Sequence, residues 1–264
     1  MTWLRRISAG DGGSRLVCLP YAGGSGSIYT SWAPWLPADV ELWVPSLPAR
    51  EHRICERPVD DIQVIVSALD EALSREDKPT SLFGHSFGAL VAFELARRLQ
   101  ERSRPVACLV VSAMAAPHTL RVRPTPTDAE ILDNVRSYGA TPPEVLDNAE
   151  LRDLLMPALR ADYKMARGYA YREGQKLSSK VFALGGTDDP EVTDAGLDAW
   201  AVQTRAGFER RMWEGGHMYF LGRQQEIAGF VGACHRRSAD GAPVHRPPEA
   251  RSVMKEAGRQ KGMA

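Results

Sequence analysis

Short apolar runs rich in β-branched residues alternate along the chain with longer segments of helical periodicity. Six runs are predicted to be strands: RLVCLP (15–20), VELWV (40–44), TSLFG (80–84), VACLVVS (106–112), KVFALG (180–185) and FERRMW (208–213). Helices are predicted near 60–75, 87–101, 194–204 and 223–235. Several of the strands are apolar throughout, which is typical of parallel strands covered on both faces. The order of elements therefore predicts an α/β fold with a mostly parallel central sheet and helices on both faces.

Two segments depart from this alternation. Residues 117–178 separate two predicted strands, are too long for a single crossover and contain only helical patterns, so we interpret them as a helical lid inserted over one end of the sheet. Residues 236–264 are rich in Pro, Gly and charge, with almost no large apolar residue, and are predicted to be a disordered tail. The folded domain is thus expected to span residues 1–235.

Composition excludes several classes of function. Lys+Arg and Asp+Glu both number 33 among the 264 residues, so no overall field attracts nucleic acid or a membrane. The four cysteines are scattered without a C-x-x-C pair, and no metal site is indicated. The N-terminus lacks the apolar core of a signal peptide, and no apolar run approaches the roughly 20 residues of a membrane-spanning helix. The sequence therefore predicts a cytoplasmic protein.

The segment LFGHSFGAL (82–90) places a lone hydroxyl, Ser86, between Gly84 and Gly88, where a predicted strand meets a predicted helix. G-x-S-x-G in this context is the nucleophile elbow of the α/β-hydrolase fold, in which a tight turn exposes the serine and leaves no room for flanking Cβ atoms. The helix N-terminus adds free N–H groups and positive dipole charge beside the hydroxyl. The motif is short enough to occur by chance, but the strand and helix around it favour a nucleophile.

A serine nucleophile needs a base and an acid that orients the base, and in this fold they follow in the order Ser, acid, His. Among six histidines, His217 lies in the glycine-flanked loop of WEGGHMYFL after the last predicted strand and is predicted to be the base. Asp189, in FALGGTDDPEV after the strand at 180–185, is predicted to be the acid. Its neighbour Asp188 is then a polar turn residue or a helper.

Acyl transfer by such a triad also needs backbone donors for the oxyanion that forms in the reaction. One donor is predicted to be the N–H of Phe87, the residue after the nucleophile. The other is predicted to be the N–H of Ala22 in the small-residue loop LPYAGGSGS (19–27), whose backbone can approach a substrate closely.

Four segments together, LPYAGGSGSIYTSW, GHSFGALVAFELARRL, ALGGTDDPEV and EGGHMYFL, resemble the type II thioesterases of polyketide and non-ribosomal peptide assembly lines. The resemblance covers about residues 14–235 and keeps the family's order and spacing. It implies an α/β-hydrolase fold with Ser86 as nucleophile, Asp189 as acid and His217 as base. In one departure, the family's Pro-Gly-Arg segment is Pro48-Ala49-Arg50 here, which calls into question any role that requires an unusual backbone at position 49.

The resemblance implies an editing hydrolase that removes aberrant acyl groups from the phosphopantetheine arm of acyl or peptidyl carrier proteins. It implies no cofactor, because the partner protein carries the phosphopantetheine. An acyltransferase or general carboxylesterase with the same triad remains an alternative, as does a non-catalytic carrier-binding protein, against which the complete triad argues. LRADYKMARGYAY (159–171) is similar to the family's lid helix, and Leu155, Leu159 and Met165 are predicted to line an acyl chamber or to pack the lid onto the body.

Overall fold

The computed structural model describes residues 2–8 and 12–239, and seven strands among them form one sheet in the order β1-β3-β2-β4-β5-β6-β7. The strands are β1 (Leu4–Arg6), β2 (Ser14–Leu19), β3 (Val40–Pro45), β4 (Thr80–His85), β5 (Cys108–Ser112), β6 (Lys180–Gly186) and β7 (Phe208–Trp213). Every pairing is parallel except that of the edge strand β1 with β3. The mostly parallel sheet predicted from the sequence is therefore confirmed.

Within the described residues, seven α-helices connect and cover these strands. They are α1 (Ile62–Leu73), α2 (Phe87–Glu101), α3 (Asp128–Tyr138), α4 (Pro143–Asp147), α5 (Ala149–Arg167), α6 (Asp194–Asp198) and α7 (Gln224–Ala239). The helix predicted at 194–204 consists of α6 and a 3-10 helix at Ala199–Gln203. Strand β1, helix α4 and a 3-10 helix at Gly26–Trp35 were not predicted, because the first two are too short for a periodic signal and the third has no α-helical period.

The continuous apolar character of the inner strands follows from burial on both faces. In β2, Val17 and Leu19 pack into the cluster that contains α1 and α2, while Leu16 and Cys18 pack into the opposite cluster with α7 and the 3-10 helix at 26–35. Successive side chains of a strand point to opposite faces, so a central strand that is covered on both faces is apolar along most of its length.

Between β5 and β6 the described chain forms the three helices α3, α4 and α5, which pack through an apolar cluster of their own. Helix α3 begins at a capping box, in which Thr127 and Glu130 satisfy each other's backbone N–H groups, and ends at Gly139 in the left-handed conformation. We call α3, α4 and α5 the lid helices.

Helix α7 ends at Ala239, four residues past the expected end of the folded domain at 235. His235 is buried, and its two ring nitrogens lie 2.8 Å from Ser81 Oγ and 2.7 Å from Ser14 Oγ. Residues 236–239, which the sequence placed in the tail, therefore continue an anchored helix, and the remainder of the predicted tail, 240–264, lies outside the described residues. No helix within 2–8 and 12–239 is both long and apolar enough to cross a membrane.

Candidate active site

Ser86 lies between β4 and α2 in a strained conformation, with φ 52° and ψ −121°. A Cβ at Gly84 would lie 2.2 Å from the Gly88 carbonyl oxygen, and a Cβ at Gly88 would lie 2.3 Å from the Leu19 carbonyl oxygen. The Ser86 N–H donates to the Ser112 carbonyl at 2.8 Å and fixes the turn to the neighbouring strand. Such strain persists only where the surrounding structure enforces it. Both glycines are required here because any side chain would collide with backbone.

The structure brings Ser86, His217 and Asp189 into one hydrogen-bonded chain. His217 Nε2 lies 2.9 Å from Ser86 Oγ, and His217 Nδ1 lies 2.9 Å from Asp189 Oδ2. The Asp189 side chain is 1% exposed, and its other oxygen accepts the Glu191 backbone N–H at 2.9 Å. Asp188 is exposed and contacts Thr187 instead. The pair His217–Asp189 thus has the buried, oriented geometry that a base and its acid need.

The loops that carry the acid and the base are tied to each other by backbone hydrogen bonds. The Thr187 N–H donates to the Trp213 carbonyl at 2.8 Å, and the Asp188 N–H donates to the Gly215 carbonyl at 2.9 Å. A Cβ at Gly186 would lie 2.3 Å from the Gly215 carbonyl oxygen, so the close approach depends on this glycine. These backbone contacts therefore hold the Asp189 and His217 side chains at a fixed distance.

Tyr138, at the end of α3, stacks on the imidazole of His217. The ring centroids are 4.6 Å apart and the planes are 29° from parallel. Tyr138 belongs to no motif, so its position at the site could not be predicted from the sequence. Its position means that a lid helix covers the base directly.

A second buried histidine lies beside the triad without joining it. His85 Nδ1 is 2.8 Å from Ser112 Oγ, which is 2.6 Å from the Tyr219 hydroxyl, and the His85 ring centroid is 5.4 Å from that of His217. Burial holds the pKa of His85 well below its usual range. His85 therefore stays neutral and places no second positive charge against His217.

Ala22 and Phe87 line the cavity at whose surface Ser86 lies. Within the described part of the chain, no hydrogen bond uses the backbone N–H of either residue. The next N–H along the loop, that of Gly23, is occupied and donates to Asp162 Oδ2 at 2.8 Å. The arrangement leaves two N–H groups beside the nucleophile with capacity to donate to a developing oxyanion.

Asp162, on α5, joins the lid helices to this loop through a buried ion pair. Arg50 donates from Nη1 to Asp162 Oδ2 at 2.8 Å and from Nη2 to Asp162 Oδ1 at 3.1 Å, and its Nη1 also donates to the Gly24 carbonyl at 2.9 Å. Asp162 is 0% exposed and Arg50 is 8% exposed. Because Asp162 also accepts the Gly23 N–H, one carboxylate holds both the loop after β2 and the segment that contains Arg50.

The backbone around Arg50 is strained on both sides, with φ 61° at Ala49 and φ 50° at Glu51. Position 49 therefore keeps the left-handed conformation that glycine would adopt freely, although it holds alanine. The cost is about 1–3 kcal/mol per residue, and the buried ion pair of Arg50 is the contact that this conformation makes possible. An unusual backbone is therefore present at position 49 although the residue is alanine.

We expect Asp162→Asn to lower the free energy of unfolding by about 3 kcal/mol, because it leaves the Arg50 charge buried without its partner. We also expect kcat/KM to fall more than about tenfold, since the loop beside Ser86 loses its anchor. Asp128→Asn is the matched control, because Asp128 pairs with Arg160 on the same lid but the two side chains are 52% and 54% exposed. The Asp128→Asn variant should lower the free energy of unfolding by less than about 1 kcal/mol. Urea unfolding and steady-state kinetics on both variants would test this expectation. Equal losses of stability and of kcat/KM in the two variants would contradict the anchoring role of Asp162.

A cavity of about 380 Å³ extends from Ser86 and His217 beneath the lid helices. Leu155 and Leu159 of α5 line it, whereas Met165 packs into the apolar cluster of the body. A Cβ at Gly23 would lie 2.3 Å from Leu159 Cδ2, so Leu159 also packs against the loop beside the nucleophile. Leu155 is half-buried and has room to face a bound acyl chain.

Leu155→Trp is therefore expected to reduce kcat/KM for octanoyl substrates at least about tenfold more than for acetyl substrates, because overfilling a chamber excludes by size. Leu159→Trp should impair both chain lengths through its contact with Gly23. Leu154→Trp is the control, because Leu154 is 53% exposed and does not line the cavity. Kinetics on both chain lengths would test this, and equal losses with Leu155→Trp would argue against a chamber role.

The fold and the arrangement of Ser86, His217 and Asp189 define a class of protein, the serine hydrolases of the α/β-hydrolase fold. Among residues 2–8 and 12–239, no group of three or more His, Cys, Asp or Glu side chains is placed to hold a metal ion. More specifically, the chain belongs to the thioesterase family, whose thioesterase domain matches residues 14–234.

Individual relatives share most of their length with this chain. Thioesterase PikA5 from Streptomyces venezuelae is 36% identical over 257 residues, which cover 93% of this chain and 90% of the relative. The gramicidin S biosynthesis protein GrsT from Aneurinibacillus migulanus is 34% identical over 229 residues, 82% of this chain and 87% of the relative. The solved type II thioesterase BorB from the borrelidin biosynthetic cluster is 36% identical with a TM-score of 0.81, over 89% of this chain and 98% of that one. The resemblance to type II thioesterases is thus confirmed.

Proposed function

We propose that this chain hydrolyses acyl thioesters on the phosphopantetheine arm of carrier proteins and so removes aberrant acyl groups from polyketide or non-ribosomal peptide assembly lines. The hydrogen-bonded chain Ser86–His217–Asp189, facing a lid-covered cavity, is the observation that carries the proposal. The relatives support it, because PikA5 is named a thioesterase and BorB a type II thioesterase of a biosynthetic cluster.

In the first half of the proposed reaction, Ser86 Oγ attacks the thioester carbonyl while His217 Nε2 takes the hydroxyl proton. Asp189 holds the imidazole through Nδ1–H and stabilises the imidazolium that forms. The N–H groups of Ala22 and Phe87 donate to the oxyanion. When the C–S bond breaks, His217 returns the proton to sulfur, and the thiol leaves readily because its pKa is near 8.5.

In the second half, a water molecule replaces the departed thiol and attacks the acyl-Ser86 carbonyl. His217 takes a proton from the water and then passes it to Ser86 Oγ as the ester bond breaks. The products are a free carboxylic acid and a free-thiol carrier protein. These steps use only side chains and backbone groups of this chain, so no cofactor of its own is proposed.

The lid helices are proposed to govern access to the cavity and to receive the carrier protein. The stacking of Tyr138 on His217 and the Asp162 anchor both connect these helices to the reacting groups. Lids over such sites commonly gate entry and exclude water. The proposed partners are acyl or peptidyl carrier proteins, which would place the enzyme in the cytoplasm with them.

Three acyl donors compared side by side test the proposal: an acyl-loaded carrier protein, the matching acyl-CoA and a p-nitrophenyl ester of the same acyl group. We expect kcat/KM to be highest for the carrier-bound thioester, with free acid as the product. A preference for the simple ester would favour the carboxylesterase alternative, and acyl transfer to an added alcohol or amine in place of acid would favour the acyltransferase alternative.

A further inference from the structure

Three arginines line the same cavity as Ser86. Arg121 and Arg123 lie in the segment between β5 and α3, and Arg167 is the last residue of α5. The Arg123 N–H donates to the Arg167 carbonyl at 2.8 Å, so the two backbones are adjacent. Arg121 and Arg123 are exposed and Arg167 is half-buried, which places the group at the opening of the cavity and not at its floor.

None of these three guanidinium groups forms an ion pair or a hydrogen bond with another residue in the part of the chain that the structure describes. Other lid arginines are paired: Arg160 binds Asp128 through two hydrogen bonds, and Arg136 binds Asp147. Among the residues that the structure describes, the charged lining of the cavity outside the triad consists of the three arginines and one carboxylate, Glu191. Hydrogen bonds from Thr127 lower the pKa of the Glu130 carboxyl, and Arg167 lies near enough for its charge to contribute, but within the described residues no carboxylate pairs with any of the three arginines. The opening therefore has an excess of positive charge, which favours an anion.

We propose that Arg121, Arg123 and Arg167 bind the phosphate of the phosphopantetheine arm when the thioester reaches Ser86. This inference rests on the proposed function. A guanidinium is a planar fork of donors that matches phosphate oxygens, and its bonds to phosphate are charge-assisted. The phosphate is favoured over carboxylates on the carrier surface because the arginines line the cavity that the arm must enter. A phosphate bound at the opening would position the arm so that its thioester end lies at Ser86.

The test compares kcat/KM for acetyl-pantetheine, acetyl-4′-phosphopantetheine, acetyl-CoA and an acetylated carrier protein. For the unaltered chain, we expect the 4′-phosphate to raise kcat/KM about tenfold or more over acetyl-pantetheine. In the triple variant Arg121→Gln, Arg123→Gln, Arg167→Gln, that advantage should disappear while acetyl-pantetheine is hydrolysed as before. Arg172→Gln, an exposed position that does not line the cavity, is the control and should keep the advantage. Matching circular dichroism spectra and melting temperatures would show that the variants are folded.

Each other outcome overturns the assignment. Equal kcat/KM for the two pantetheine substrates in the unaltered chain would show that the phosphate is not bound. If the arginine variant lost kcat/KM only for the carrier protein, the arginines would be assigned to an acidic carrier surface. If it lost kcat/KM only for acetyl-CoA, they would be assigned to the additional phosphates of coenzyme A. If acetyl-pantetheine is hydrolysed and the 4′-phosphate does not change kcat/KM, the proposed function still stands. If none of the four thioesters is hydrolysed, the proposed function itself is refuted.

Discussion

Replacing Ser86 with alanine is expected to lower kcat for acyl-carrier hydrolysis by at least about 10³-fold. Alanine removes the atom that would form the acyl-enzyme, while the backbone N–H groups of Ala22 and Phe87 stay in place. The remaining activity would come from binding and from those donors. Stability should be almost unchanged, because the side chain is small and the turn is enforced by Gly84 and Gly88.

The measurement is a release assay on an acyl-carrier substrate together with labelling by a fluorophosphonate probe. The unaltered chain should be labelled at Ser86 and the variant should not. Ser137→Ala, which removes an exposed hydroxyl on α3, is the control and should keep both labelling and turnover. If Ser86→Ala kept activity within about tenfold of the unaltered chain, Ser86 would not be the nucleophile.

Asp189→Asn is expected to lower kcat by about 10³–10⁴-fold, because an amide can hold His217 in the tautomer that carries its proton on Nε2 and cannot accept one from Ser86. The adjacent substitution Asp188→Asn is the matched control. Asp188 is exposed and its side chain contacts Thr187, so its loss should cost less than about threefold.

Both variants should be assayed with saturating acyl-carrier substrate, and their melting temperatures should be compared. The expected difference between them rests on the 2.9 Å contact between His217 Nδ1 and Asp189 Oδ2. A larger loss from Asp188→Asn than from Asp189→Asn would mean that the acid had been assigned to the wrong member of the pair.

The sheet and the segment around Ser86 could be predicted from sequence because their signals are local. A strand that is buried on both faces is apolar along most of its length, and β2, β4, β5 and β6 each contain such a run, for example Leu16–Leu19 in β2 and Val181–Leu184 in β6. Gly84 is fixed by a collision with Gly88 within one tight turn, and Gly88 by a collision with the Leu19 carbonyl at the end of β2. Edge strand β1 gave no such signal, since only one of its three residues is buried.

The contacts that join the lid helices to the site could not be predicted, because each depends on residues far apart in the sequence. The bond between Arg50 and Asp162 spans 112 positions, and the hydrogen bond from the Gly23 N–H to Asp162 spans 139. None of these residues carries a local pattern that marks its partner. The positive φ of Ala49 likewise contradicts what alanine alone suggests, since the buried ion pair of Arg50 outweighs the preference of the residue.

The most direct test of the proposed hydrolysis is product analysis of an acyl-loaded carrier protein incubated with catalytic amounts of this chain in H₂¹⁸O. Intact-mass spectrometry of the carrier and of the released acid reports both halves of the reaction, with Ser86→Ala run in parallel. We expect complete conversion to free-thiol carrier and an acid containing one ¹⁸O atom, with at most traces of either product formed by the variant in the same time. A carrier that keeps its acyl group, while simple esters are hydrolysed under the same conditions, would contradict the proposed hydrolysis.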